Sequence, residues 1–456
     1  MEKQSERVES GSRMMSGQGS AAMEKQSNRM GKQGKRINPW AWVPSLYFAE
    51  GLPYVAVMTI AVILYKKLGV SNTDIALYTG WLYLPWVIKP FWSPLVDLVR
   101  TKRWWIVAMQ AAIALAFAGI ALTIPATFFF RITLAFFWLV AFTSATHDIA
   151  ADGFYMHGLD THQQSFFVGI RSTFYRISTI AGQGLLVILA GFIEDTTGNI
   201  PLSWTVVFAT LSVFFLVAGL YHAWALPRPS TDRPDANVQV GGIMREFLAT
   251  FKSFFLKKNI WPAMAFMLLF RFPEAQLVKI INPFLLDPIE KGGLGMTTSE
   301  VGFAYGTVGI VGLTLGGILG GIAASRGGLK KWLWPMVCAI TLPGIVYVYL
   351  AYVQNSPLWV VNACIFAEQF GYGFGFTAYM LYLIYFSEGE HRTSHYAICT
   401  GFMALGMMLP GMVAGWLQEL IGYRYFFLWT MLCCVATFVV CLFVKIDPEF
   451  GKKSTQ

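Results

Sequence analysis

The run Ile132-Thr133-Leu134-Ala135-Phe136-Phe137-Trp138-Leu139-Val140-Ala141-Phe142-Thr143-Ser144-Ala145-Thr146-His147-Asp148-Ile149-Ala150-Ala151-Asp152 begins apolar and ends with two acids. A helix needs about 20 mostly apolar residues to cross a bilayer, so 131–156 reads as a transmembrane helix. Asp148 and Asp152 are four residues apart, which sets both carboxylates on one helical face. A carboxylate inside the hydrocarbon costs at least about 2.5–3.5 kcal/mol unless water or a partner meets it. The pair therefore looks into a polar cavity or sits at the cytoplasmic mouth. Its lie near the end of the helix favours coupling or gating over direct contact with a solute. His147 adjoins Asp148 and offers a proton relay, although adjacent helical residues diverge by about 100°.

Composition extends the reading to the whole chain. Of 456 residues, 55% are hydrophobic and only 13% charged, with mean hydropathy +0.53. Soluble chains carry about 25% charged residues, so this is a polytopic, all-α membrane protein. The net charge of +9 is not a nucleic-acid signal, because the basic residues sit in short loops between apolar runs. The six cysteines lie in or beside apolar runs without CxxC spacing and read as small core residues.

Twelve apolar runs follow one another: 41–65, 75–97, 104–125, 131–156, 166–193, 204–225, 260–287, 300–323, 332–353, 358–386, 395–420 and 425–445. Residues 1–37 are polar and repeat Met1-Glu2-Lys3-Gln4-Ser5 as Met23-Glu24-Lys25-Gln26-Ser27. They read as a disordered tail with Met23 as an alternative start, and no cleavable signal peptide is expected. The stretch 226–259 opens with a Pro-rich stop at Leu226–Pro234. It continues as an amphipathic segment, Ile243 to Lys258, expected to lie on the cytoplasmic membrane surface. The chain thus divides into a tail (1–37), six helices (38–225), a linker (226–259), six helices (260–446) and a tail (447–456). Basic residues concentrate after the second and eighth runs, in the linker and at Lys452 and Lys453, so both termini are predicted cytoplasmic.

The halves echo each other. Ser93-Pro94-Leu95-Val96-Asp97-Leu98-Val99-Arg100-Thr101-Lys102-Arg103 follows run two, and Gly321-Ile322-Ala323-Ala324-Ser325-Arg326-Gly327-Gly328-Leu329-Lys330-Lys331 follows run eight. Each resembles in part the G-x-x-x-D-R-x-G-R-K loop of the major facilitator superfamily. That resemblance implies twelve transmembrane helices in two six-helix bundles, each of 3+3 inverted repeats, and a gating role for Asp97. Run eight carries Gly312, Gly316 and Gly320 in small-xxx-small register. Run one is expected to break at Glu50-Gly51-Leu52-Pro53, where proline frees a carbonyl beside a cavity.

Intramembrane charges are the sharpest functional pointer. Glu50, Asp148, Asp152 and Glu368 are the candidate proton or gating carboxylates, since burial brings a carboxyl toward the working range. Lys89, Arg176, Arg271 and Lys279 suit an anionic solute, with arginine favoured for carboxylates. Arg271 and Glu274 are three apart and can pair. Trp92 and Tyr379 are aromatic candidates for sugar contact, or ordinary interfacial anchors. Internal ion pairs that only hold the bundle together would account for these charges as well.

At these residues the sequence resembles the AmpG-type muropeptide permeases. The matching elements are Glu50-Gly51-Leu52-Pro53, Lys89-Pro90-Phe91-Trp92-Ser93-Pro94-Leu95-Val96-Asp97, Thr146 to Asp152, Tyr175-Arg176, Glu300-Val301-Gly302, Glu368 to Ala378 and Gly411 to Trp416. His147 stands where that family commonly has Gln, and Pro90 interrupts the Lys-Trp segment. The resemblance implies a symporter that imports anhydromuropeptides or amino sugars across the bacterial inner membrane. It would be driven by protons and have no cofactor. Its partners would be a small anionic molecule, protons and lipid, with no nucleic acid. A facilitator for another organic anion or sugar is the alternative: N-acetylmuramic acid, or an acetyl-coenzyme-A-like molecule. A membrane-embedded transferase using His147 and Asp148 is remote, since the chain has no P-loop, HExxH or GxSxG. The expected chemistry is therefore not enzymatic.

Overall fold

A computed structural model describes residues 37–159, 161–229, 232, 240–389 and 392–450. Helix accounts for almost all of it. Helix α1 is Pro39–Lys67. Helix α2 runs in two pieces, Asn72–Trp81 and Leu84–Val99. Then come α3 (Lys102–Thr123) and α4 (Phe129–Gly158). Helix α5 is Thr161–Ile180 continued through Ala181–Leu186 and Val187–Thr197, and α6 is Ile200–Ala225. The linker holds α7 (Val240–Phe255). The second group is α8 (Ile260–Leu269 and Phe272–Leu286), α9 (Thr298–Gly327), α10 (Leu329–Val353), α11 (Leu358–Ser387) and α12 (Arg392–Phe443). Eight of these stretches are long and apolar enough to cross a membrane. With α2, α8 and α11 added, and α12 divided at Gly422 (φ 75°), the arrangement fits the twelve crossings expected.

Local chemistry sets the ends. Ser71 caps α2 by accepting from the Asp74 amide. A reciprocal Thr297–Glu300 capping box opens α9. Asp232 of the linker accepts the Lys102 and Arg103 amides at 2.7 and 3.1 Å, placing an anion on the positive end of α3.

One expectation needs correction. Helix α1 does not break at Pro53. It continues through it, and the distortion appears one turn later as a wide π-type turn at Ala56–Ile60. Proline removes one hydrogen bond, and surrounding helices hold the rest in place. In the linker helix, Phe254 is fully buried against Phe386, His395 and Phe402, while Leu248 remains exposed.

Helix α3 packs on α4 and α6, and α1 packs on α4 and α5. In the second group α11 packs on α9 and α10, and α8 on α12. A Cβ at Gly312, Gly316 or Gly320 would press on the carbonyls of Phe366, Phe370 and Phe374, so the glycine row serves close backbone packing of α9 on α11.

The groups meet where α2 packs on α12, α5 on α9 and α1 on α8. The polar contacts between them gather at the end away from the termini. Lys66 reaches Asp287 at 2.7 Å and Asn72 at 2.8 Å. Asp287 also accepts from the Tyr423 hydroxyl (2.5 Å), and Asn72 donates to Gln418 (2.6 Å). Thr73 bonds Glu419, and Thr298 donates to Glu194, which also holds Lys67. Deeper in, the π-type turns of α1, α5 and α9 touch, and Gln183 donates to Thr59 at 3.0 Å.

Candidate functional site

The acid pair of α4 does share a face, and each acid finds a different cation. Asp148 accepts from the Trp86 indole at 3.1 Å and stands 3.6 Å from Lys89, both on α2. Asp152 meets Arg171 of α5 at 3.1 Å and accepts from the Tyr47 hydroxyl of α1 at 3.3 Å. Arg171 in turn donates to Tyr47 at 3.0 Å and lies over the Tyr47 and Tyr155 rings. Three helices are thus cross-linked through one face of α4. The helical period that aligns the acids also turns His147 away from them. Its Nε2 lies 3.0 Å from the Gln110 amide on α3, whose oxygen faces His222 Nδ1 at 2.9 Å, and His222 Nε2 meets Ser45 at 3.0 Å. Gln110, His147 and His222 are essentially unexposed, so this network ties α1, α3, α4 and α6 together.

A cavity of about 380 Å³ opens beside the acids, within the size range of small-molecule sites. Tyr47, Glu50, Arg171, Ser172, Tyr175, Arg176 and Thr179 line it from the first group, and Leu313 of α9 lines it from the second. Arg176 is exposed there and makes no ion pair among the described residues. Glu50 is 9% exposed, and its Oε2 has no hydrogen-bond partner among the described residues.

On α8, Arg271 and Glu274 form the pair their spacing allows, in two parallel bonds of 2.8 and 2.6 Å. Arg271 also donates to the Tyr372 hydroxyl at 2.8 Å and lies over Phe376. Lys279 is 2% exposed, donates to Thr79 of α2 at 2.9 Å and lies over the Tyr83 ring. Glu368 accepts from Tyr347 (3.0 Å) and from Gln369 (2.8 Å). It shares with Glu274 a pocket of about 20 Å³, room for about one water.

The remaining candidates stand apart from the cavity. Tyr379 is fully buried, donates to the Met267 carbonyl at 2.6 Å and stacks on Phe266 and Phe270. Trp92 packs against Phe142 of α4. The Asp97 side chain lies outside the described residues. Sequence reading missed the cluster of Lys66, Asn72, Asp287, Gln418 and Tyr423. The two lysines Lys66 and Lys67 look like loop charges, and no local pattern announces that acids from other helices meet them. Gln110 and His222 were missed for the same reason.

The comparisons agree with this architecture. The chain is 25% identical over 425 residues to the anhydromuropeptide permease of Escherichia coli, covering 89% of this chain and 80% of that one. It is 24% identical over 414 residues to a Rickettsia conorii chain named AmpG 4, covering 88% and 95%. Among solved structures, a D-xylose-proton symporter superposes with a TM-score of 0.68 at 11% identity, covering 90% of this chain and 98% of that one. The nucleoside transporter NupG gives 0.62 at 15% identity, covering 89% and 98%. The family model described as Major Facilitator Superfamily matches residues 45–388 and 275–456. A chain with these helices, this inter-helical charge set and these relatives is a multi-pass membrane transporter similar to the AmpG-named permeases, and it belongs to the Major Facilitator Superfamily.

Proposed function

We propose that the chain is a proton-coupled secondary transporter. It imports peptidoglycan-derived anhydromuropeptides, or closely related anionic amino sugars, across the bacterial inner membrane by alternating access. Its two six-helix bundles, each of 3+3 inverted repeats, rock about the shared cavity while both termini stay cytoplasmic. The observation that carries the reading is Arg176, a guanidinium exposed to a membrane-embedded cavity with no carboxylate paired to it among the described residues. A guanidinium that opens on a cavity and has no ion-pair partner of its own can bind a planar carboxylate through two parallel hydrogen bonds. The named relative that acts on anhydromuropeptides supplies the substrate class.

In this scheme the contacts of Lys66, Asn72, Asp287, Gln418 and Tyr423 seal the outer end, and the cavity serves the cytoplasmic side. Substrate leaves when the seal is made and enters when it opens. Glu50, Asp148, Asp152 and Glu368 are the carboxyls available to carry the proton, and Asp97 is a gating residue. Lys89, Arg271 and Lys279 balance charge as the cavity fills, and Glu274 competes with the substrate for Arg271.

The test is uptake of labelled N-acetylglucosaminyl-1,6-anhydro-N-acetylmuramic acid into membrane vesicles under an imposed pH gradient. Uptake that is saturable, stimulated by an inward proton gradient and absent from control vesicles is the expected result. Transport indifferent to collapse of the gradient removes proton coupling. Failure to transport this probe while free N-acetylmuramic acid is carried removes the disaccharide assignment.

A further inference from the structure

The carboxylates of the membrane region are not equivalent. Asp152 is neutralised by Arg171, Glu274 by Arg271, Asp287 by Lys66 and Glu194 by Lys67. Asp148 has Lys89 and the Trp86 indole, and Glu368 accepts from two neutral donors. Glu50 differs from all of these. It is buried, one of its oxygens has no hydrogen-bond partner, and it lies on the wall of the cavity that also holds Arg176. Resting on the proton-coupled reading above, we infer that Glu50, rather than Asp148 or Asp152, is the carboxyl that binds and releases the coupled proton.

The argument is one of ion pairs. A proton placed on Asp148 or Asp152 leaves Lys89 or Arg171, both partly buried, without its carboxylate. A proton placed on Glu50 breaks no pair. The groups around it explain how its charge reaches the substrate. From α4 it faces Asp148 and Asp152, with Tyr155 beyond; from α2, Lys89. From α5 it faces Arg171, Tyr175 and Arg176, and on its own helix Tyr47 and Tyr54 flank it. His222 of α6 approaches α1 at Ser45 and is engaged there with Gln110.

With Glu50 protonated, the cavity presents Arg176 and no opposing free anion, and an anionic substrate is held. When Glu50 gives its proton to water on the cytoplasmic side, a carboxylate appears on the same wall as the bound anion and repels it. Proton and substrate therefore bind together and leave together. Gly51, next in sequence, fixes the position, because any Cβ there would collide with Ser178 of α5.

The experiment uses the full chain in membranes treated with N,N′-dicyclohexylcarbodiimide, which attaches to carboxyls that carry a proton in apolar surroundings, followed by peptide mass spectrometry. The expected adduct is on Glu50. It declines as the pH of labelling is raised, and it is lost in E50Q. In vesicles, E50Q loses the acceleration of disaccharide uptake by an imposed pH gradient, and Glu50→Asp, which restores a carboxyl, recovers it. An adduct on Asp148 or Asp152 with Glu50 unmodified overturns the assignment, as does an E50Q protein that still responds to the gradient. A wild type that ignores the gradient overturns the coupling reading and this inference with it. A gradient-driven wild type with unmodified Glu50 overturns the inference alone.

Discussion

Replacing Asp287 with Ala tests the outer seal quantitatively. The Asp287 side chain is 9% exposed and takes two bonds on one oxygen, from Lys66 at 2.7 Å and from the Tyr423 hydroxyl at 2.5 Å. Its removal leaves the Lys66 ammonium, 14% exposed, with Asn72 as its remaining partner, and leaves the Tyr423 hydroxyl without that acceptor. Breaking a buried pair by deleting one member costs about 3–5 kcal/mol. The retained bond to Asn72 and the residual exposure of Lys66 put this case near the lower end, about 3 kcal/mol. That cost falls on the conformation in which the end is closed, because in the open one water satisfies Lys66 and Tyr423. The closed-to-open ratio therefore shifts by roughly two orders of magnitude toward open. Spin labels at Phe128 and Trp359, exposed at this end on opposite groups, read the shift as a distance distribution. They are placed in a background without the six native cysteines. D287A should gain a dominant long-distance population, and the double variant K66M/D287L should return part of the way, since removing both members leaves no stranded charge. Superimposable distributions for wild type and D287A would refute the seal.

The other perturbations are more local. Arg176→Ala removes the free guanidinium from the cavity, and a hydrogen bond to a charged group is worth about 1.5–3 kcal/mol, so KM for the anionic probe should rise roughly 10- to 100-fold. Arg176→Lys should recover only part of this, because a point charge cannot make two parallel bonds. Gly306→Ala puts a methyl against the Gln183–Gly184 backbone across the contact of α9 with α5. Overpacking costs about 1–3 kcal/mol, so the Phe128–Trp359 distance should lengthen as it does for D287A. Gln110→Leu leaves His147 and His222 without their shared partner at a fully buried site. At about 1–3 kcal/mol per unsatisfied group, it should lower the melting temperature of the purified protein while the gradient response persists.

Much of this architecture is legible in one dimension because a bilayer reads sequence crudely. Apolar runs of the right length must be helices, since nothing else satisfies the backbone in lipid, and each of the twelve expected runs overlaps observed helix. The Gly422 turn falls in the short gap left between the last two runs. Within one helix, period settles neighbours. It puts Asp148 and Asp152 together, lets Arg271 pair with Glu274, and turns His147 aside. The break expected at Pro53 failed for a reason that also lies outside local sequence: the packing around α1 carries the helix past the missing hydrogen bond.

What the chain could not disclose on its own is the pairing between helices. Partner choice depends on how far each helix rotates and slides against its neighbours, and that is set by packing over the whole bundle. So Asp148 took Lys89 and Asp152 took Arg171, and Glu50 was left unpaired among the described residues. Tyr379 was drawn into an aromatic stack, and Lys66, outwardly a loop charge, met an acid 221 positions away. The sequence by itself determined which residues would be charged inside the membrane and which faces they would share. Only the tertiary structure decided which of those charges cancel and which remain free to meet a solute or a proton. A charge in low dielectric is governed by the few groups within a few ångströms of it, wherever in the chain they come from.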